Sequence, residues 1–260
     1  MKKELVLDDN LMNIKVERQV RVRDILVDVP LRYKCSAINV LFPISTKEAK
    51  KIIGTPKIKP LELFPGRSLL CITLFDYQYS PVGPYTEISL SIPVNYNFGF
   101  NVPLFSLLLN LFFNKLSFFV FSIAQSTQIA IEHGLIITGY PKYDKEKTVD
   151  AKFSRGDKFI YVNVSGEGKM ILNLKIMKLK NEKLERSYYP TYFVKNNKIC
   201  KIQLETDSII NGSKILSFEL GDHKIAELIK SLKISPNAVY AKYYKDAIEI
   251  LYSPKEIEAI

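Results

Sequence analysis

The sequence predicts a mainly β (α+β) chain, an antiparallel β-barrel or cone with helices packed outside it. Three observations carry that expectation. Isoleucine, valine and aromatic residues gather in short runs bounded by turn residues, the mark of half-buried strands. Those runs recur along the chain with only a few short amphipathic stretches between them. No repeat or flexible linker divides the 260 residues, of which 47% are hydrophobic. One domain over 1–260 is therefore expected, with residues 1–25 as a candidate N-terminal extension.

The elements follow in order. "STKEAKKII" (45–53) is a short amphipathic helix. "SLLCITLFDY" (68–77) is a buried strand, and "YTEISLSIPV" (85–94) alternates with period two. Residues 105–124, "FSLLLNLFFNKLSFFVFSIA", are long enough to raise a membrane span. Asn110, Asn114 and Lys115 in its middle are costly in lipid, so two elements are read instead. A helix begins near Pro103 and ends near Asn114, and a buried strand follows at "LSFFVFSIA". Ser126 or Thr127 caps the next helix and Gly134 stops it. "KFIYVNVSGEGKMILNLKIMKL" (158–179) reads as a hairpin turning at "GEG", and "KICKIQLET" and "KILSFEL" add strands. "HKIAELIKSL" (223–232) is a last short helix.

Composition excludes several classes. The net charge is +10. Its lysines are scattered and interleaved with acids, as in "KNEKLER" (180–186), so a solvated surface is expected rather than a nucleic-acid face. That charge can still help to draw in a small acid. Cys35, Cys71 and Cys200 are odd in number and form no CxxC pair, which argues against disulfides and structural zinc and fits a reducing cytoplasm. "MKKELVLDDN" lacks the apolar core of a signal peptide. There is no GxSxG, P-loop or GxGxxG motif. Only His133 and His223 exist, too few for a histidine metal site. His133 is read as a helix-surface or core-edge residue and His223 as a helix-start residue.

Two stretches remain. In "TGYPKYDKEK" (138–147), Lys142 follows a Gly-Tyr-Pro turn beside an apolar run. It is either part of a charged turn or an amine held where water is scarce. At an ordinary pKa about four lysines in ten thousand are neutral at pH 7, and burial raises that fraction by disfavouring the ammonium. A neutral amine condenses with a ketone to an iminium, an electron sink that needs no cofactor. In "GPYTEISLSIPV", Glu87 shares a strand face with Ser89 and Ser91, while Ile88, Leu90 and Ile92 point the other way. Inside a barrel that carboxyl would be buried and able to move protons. From the pattern alone, a solvent-facing glutamate on an edge strand is the simpler reading.

Together, "GPYTEISLSIPV" and "QIAIEHGLIITGYPK" resemble the two signature regions of the acetoacetate decarboxylase family. Softer likeness in "PGRSLLCITLFDY" and "LGDHKIAELIKSLKI" extends the resemblance over most of residues 30–255. The resemblance implies a β-barrel with helices around it, a homo-oligomer, and a cofactor-free lyase that decarboxylates a 3-oxo acid such as acetoacetate. It implies Lys142 as the Schiff-base lysine, Glu87 as the active-site acid, and Tyr140, Tyr85 and Arg32 as substrate-binding residues, with no metal. Three positions depart from the family pattern. Tyr143 stands where a second lysine is usual. Leu135-Ile136 follows Gly134 in place of an Arg-Glu pair. Cys35 aligns near the expected carboxylate-binding arginine, with Arg32 and Lys34 close by. These departures keep two alternatives open: a Schiff-base aldolase or dehydratase acting on a 2-oxo acid such as pyruvate, and a non-catalytic barrel for a hydrophobic ligand. The expected partner is a small oxo acid, not nucleic acid or membrane.

Overall fold

The computed structural model describes residues 12–96, 102–112 and 116–260. A hairpin of β1 (Arg18–Val22) and β2 (Ile25–Val29) leads into β3 (Leu31–Ser45), α1 (Thr46–Ile53) and two short strands, β4 (Ile58–Pro60) and β5 (Glu62–Phe64). Then come β6 (Arg67–Tyr79), β7 (Tyr85–Tyr96), α2 (Phe105–Phe112), β8 (Ser117–Gln125), α3 (Gln128–His133) and a π-helical turn over Gly134–Thr138. The second half holds β9 (Val149–Arg155), β10 (Phe159–Gly166), β11 (Lys169–Lys195), β12 (Lys198–Leu220), α4 (Lys224–Ser231), β13 (Tyr240–Leu251) and β14 (Lys255–Ala259).

Seven strands close a ring in the order β3-β6-β7-β8-β11-β12-β13, with β13 pairing back onto β3. Every pairing in the ring is antiparallel except β8 with β11, which is parallel and only two residue pairs long, Thr191↔Phe118 and Tyr192↔Phe119. β9 and β10 extend the sheet outward from β11. Closure leaves none of the seven ring strands as an edge, and the edges that remain belong to the strands appended to the ring, such as β9 and β14.

The alternation in β7 is resolved by this closure. Ile88, Leu90 and Ile92 join the main apolar core outside the ring, with Leu70, Ile72 and Leu74 of β6 and Ile38, Val40 and Phe42 of β3. Ala49 and Ile53 of α1 and Ile225 and Ile229 of α4 cover that face. Each of these Leu, Ile, Val and Phe side chains contributes roughly 1.5–3 kcal/mol by leaving water. The packed core thus lies outside the ring, and the opposite face of the same strands lines its hollow interior.

Caps fall where the side chains require them. The Ser45 hydroxyl accepts from the Glu48 N–H at the start of α1, and Thr127, rather than Ser126, accepts from the Ala130 N–H at the start of α3. His223 caps α4 through Nδ1, which accepts from the Ile225 N–H at 3.1 Å.

Several expectations are corrected. "KICKIQLET" and "KILSFEL" are one strand, β12. The second strand of the 158–179 hairpin runs on as β11 through "KNEKLER" to Lys195. The two pair from Leu172↔Leu220 to Lys195↔Lys198, broken by bulges. The polar, exposed middle of β11 is paired from Glu182↔Asn211 to Ser187↔Thr206 with a buried stretch of β12, so its ladder is hidden behind side chains that read as a surface. Asn196 and Asn197, at φ 50° and 57°, form the two-residue turn between them. The helix expected to start near Pro103 begins at Phe105, and Asn114 and Lys115 lie outside the described residues. The candidate N-terminal extension over 1–25 is not among these corrections: its residues 18–25 lie in the hairpin that packs Val22, Val27 and Val29 against Tyr33 and Tyr77. No helix among the described residues is long and apolar enough to cross a membrane.

Candidate active site

The position of Lys142 follows from the chain just before it. After α3 the helix widens into the π-turn, which ends at Gly139 with φ 73°. There the Gly139 N–H donates to the Gly134 carbonyl at 2.8 Å. That left-handed conformation suits glycine, and it reverses the chain towards β8. The Ile123 N–H then donates to the Pro141 carbonyl at 3.0 Å, and the Tyr143 N–H to the Ile123 carbonyl at 2.8 Å. Lys142 is thereby fixed as a single-residue extension of the ring. Its amine donates to Gln125 Oε1 at 2.8 Å, and Gln125 Nε2 donates to Glu87 Oε2 at 2.8 Å. Glu87 and Gln125 are direct cross-strand partners, so the register of β7 on β8 builds this relay.

Gly134 has a second role. A Cβ placed there would overlap the Lys142 amine and lie 2.7 Å from its Cε. Its φ of −64° and ψ of −39° are ordinary helical values, so alanine is acceptable to the backbone. Gly134→Ala is expected to move the amine without unfolding the chain. The rate of adduct formation at Lys142 should fall about 100-fold, while thermal melting stays within a few degrees of the parent.

Burial sets the ionisation of the site. The accessible part of Lys142 faces the cavity rather than bulk water, and desolvation lowers its pKa to about 8, with Glu87 pulling the other way. About one amine in ten is then neutral at pH 7. No second cation contributes. Tyr143, at the position of the second lysine, packs against His223 with ring centroids 5.4 Å apart. Glu87 is buried, 7% exposed, and its pKa is raised by desolvation, partly offset by Lys142 and Gln125. The solvent-facing reading of this strand is therefore wrong, because β7 is central and this face looks into a cavity.

Two groups that the motifs did not indicate stand in the same cavity. Glu249 on β13 is buried, and desolvation and Glu87 push its pKa up to about 8. Its signal in sequence was the same as that of Glu87, an acid between isoleucines in a strand, "AIEIL". His133, expected at a surface or core edge, is fully buried and lines the cavity, with neither ring nitrogen hydrogen-bonded within the protein. Desolvation, then Lys142, lowers its pKa to about 4, so the imidazole is neutral.

Of the remaining candidates, Tyr140 and Tyr85 line the cavity and are buried. The Tyr140 hydroxyl is hydrogen-bonded to that of Thr191, and Tyr85 packs on Tyr77 at 4.6 Å between centroids. Arg32 is not brought to the site. Its neighbour Tyr33 points into the cavity, so period two turns Arg32 to the other face of β3. There its guanidinium donates to the Pro30 carbonyl at 3.2 Å and the Ile14 carbonyl at 2.6 Å. The cations that do line the cavity, besides Lys142, are Lys183, Arg186 and Lys242. Lys242 donates to Glu185 at 2.6 Å, and Arg186 lies 3.3 Å from Asp207. "KNEKLER" is thus exposed, as expected, and also lines part of the cavity. No metal-binding cluster of His, Cys, Asp and Glu occurs among the described residues.

The cavity enclosed by the ring measures about 910 Å³. No protein-family model matches the chain, and no curated protein matches it by sequence. Solved structures do. The acetoacetate decarboxylase of Legionella pneumophila subsp. pneumophila str. Philadelphia 1 superposes with a TM-score of 0.67 at 15% identity, covering 96% of this chain and 95% of that one. A second acetoacetate decarboxylase gives 0.61 at 14% identity, covering 88% and 90%. The enduracididine biosynthesis enzyme MppR complexed with pyruvate gives 0.58 at 9% identity, covering 87% and 90%. The likeness carried by "GPYTE" and "GYPK" thus extends to the whole architecture, and the chain has the acetoacetate decarboxylase-like fold.

Proposed function

We propose that this protein is a cofactor-free carbon–carbon lyase of the acetoacetate decarboxylase type, acting on a 3-oxo acid through Lys142. The observation that carries the reading is the buried Lys142 amine, held by Gln125 and Glu87 in the cavity inside the ring, with its pKa lowered to about 8. The neutral amine attacks the ketone carbon, and loss of water from the carbinolamine gives an iminium. The bond to the carboxylate breaks, its electron pair moves towards the iminium nitrogen, and carbon dioxide leaves an enamine. A proton returns to carbon, and water then releases the ketone and restores the amine. Glu249, with its pKa raised to about 8, is a protonated carboxyl at pH 7 and is assigned as the proton source. Gln125 and Glu87 position the amine. Arg32 takes no part, and the substrate carboxylate is met by neutral donors such as Tyr33 and Tyr85.

A second reading keeps the iminium and changes the bond that is made or broken. It is favoured by the pyruvate-bound MppR structure and by the position of Arg32 outside the cavity. One experiment separates the two. The protein is incubated with acetoacetate or with pyruvate, reduced with borohydride, and mapped by mass spectrometry. A reduced adduct on Lys142 with acetoacetate, accompanied by carbon dioxide release, supports the decarboxylase. An adduct with pyruvate and no carbon dioxide supports the alternative, and no adduct with any oxo acid rejects both. The trapping rate should rise tenfold per pH unit up to about pH 8 and then level off, following the neutral amine.

A further inference from the structure

We infer that the substrate carries an apolar tail: the structure assigns one end of the cavity to the reacting oxo acid and the other to a hydrocarbon chain. This rests on the proposed Schiff-base reading and narrows it to a substrate class.

The strand registers order the cavity wall into levels. At one end, Tyr77 faces Tyr85 and Phe75 faces Glu87, with Gln125 beyond. The next level is narrow in side chain, with Asn39 against Thr73 and Thr73 against Ser89. The level after that sets Leu41 against Cys71 and Cys71 against Ser91, and Ser91 lies beside Val120. Polar atoms here satisfy one another, as where the Cys71 thiol lies 3.0 Å from Asn39 Oδ1. Beyond them the wall is aliphatic and aromatic: Leu41, Leu63, Leu69, Leu107, Leu116 and Phe118 all line the same cavity. From Phe75, at the Glu87 level, to Leu69 is six residues along β6, or about 20 Å. A chain on the order of ten carbons spans less than that length.

Two further points favour a tail over a second polar group. Leu104 and Leu108 line the cavity yet are 43% and 53% exposed, which places apolar side chains at its opening. On the facing wall, Glu185 meets Lys242 at 2.6 Å and Lys183 at 3.3 Å, and Arg186 lies 3.3 Å from Asp207, so the described cations there already have anionic partners within the protein. A four-carbon oxo acid would leave the apolar end of a 910 Å³ cavity untouched.

The test is a chain-length series of straight-chain 3-oxo acids from four to twelve carbons, scored by carbon dioxide release and by the borohydride adduct on Lys142. The expected result is a rise in kcat/KM of about fourfold per added methylene until the tail space is filled, the equivalent of about 0.8 kcal/mol each. Adducts throughout with flat or falling kcat/KM would overturn the tail while leaving the Schiff-base reading intact. No adduct with any member would overturn that reading, and this inference with it. The chain contains no tryptophan, so Leu63→Trp adds a single reporter at the apolar end. Decanoate, which has no ketone, should shift its emission and butanoate should not. Equal or absent responses to the two would also count against the tail.

Discussion

Lys142→Met is expected to remove trapping and turnover together and to make the protein more stable at pH 7. A lysine that forms the covalent intermediate has no substitute in the cavity. Lys183 is exposed on β11, and Lys242 is held by Glu185. The loss of activity should be about four orders of magnitude or more. The stability change has the opposite direction. The Lys142 pKa is lowered from 10.5 to about 8 on folding, so the unfolded chain binds the proton more tightly. That deficit is fully present below pH 8 and disappears as the pH rises from 8 to 10.5. Methionine, similar in length and uncharged, should therefore gain about 3 kcal/mol at pH 7, about 1 kcal/mol near pH 9.5, and little above 10.5. Urea unfolding of parent and variant at these pH values measures it. An equal gain at every pH would show that packing, and not desolvation of the amine, is responsible.

Glu249→Gln is expected to stabilise in the reverse pH order. Folding raises this carboxyl from 4.5 to about 8, so the folded state holds a proton that the unfolded state releases. No deficit exists below pH 4.5, and it grows as the pH rises to 8. Glutamine keeps the shape and removes the ionisation. The gain should be about 1 kcal/mol at pH 5 and about 3 kcal/mol at pH 7, on the order of 10 °C in melting temperature. Above pH 8 it reaches its maximum. Glu87 opposes the ionisation of Glu249 and the Cys35 thiol favours it, while the buried Tyr33, Tyr77, Tyr85 and Tyr140 lie within its electrostatic reach. A melting temperature for the variant that tracks the parent from pH 5 to pH 9 would contradict the assignment. If Glu249 is also the proton source, the variant traps the iminium normally but turns over slowly.

How much of this was legible in the sequence depends on what each signal measures. Period two put Glu87 with Ser89 and Ser91 and opposite Ile88 and Leu90, and that division is the observed one. It could not say which face was inside, because both sides of β7 are covered: one by the core, the other by a cavity that exists only when the ring closes. Glu249 carried the same pattern, yet its nearness to Glu87 depends on β13 returning to β3, far along the chain. His133 read as a helix-surface or core-edge residue because a helix shows its buried side only through its neighbours, here Ala130 and Ile131. The length of β11 was hidden because its exposed middle is polar, and that of β12 because polar residues interrupt its buried middle at 206–208 and 211, while backbone pairing does not depend on side-chain type. Arg32 was misjudged by one residue, which in a strand is the difference between the two faces.

The short parallel pairing of β8 with β11 bears on how the site comes into being. β3, β6, β7 and β8 form one arc through neighbours in sequence, and β9 to β13 form another. Among the described residues, two strand pairings join the arcs of the ring, β8 to β11 and β13 to β3. Both are long-range in sequence, so their closure is entropically late in folding. Lys142, Gln125 and Glu87 belong to the first arc and Glu249 to the second. An amine on an isolated first arc would lack the wall that the second arc supplies and would be more open to water. The full desolvation of Lys142 is then expected only when these last two pairings form, and its titration would report the completion of folding.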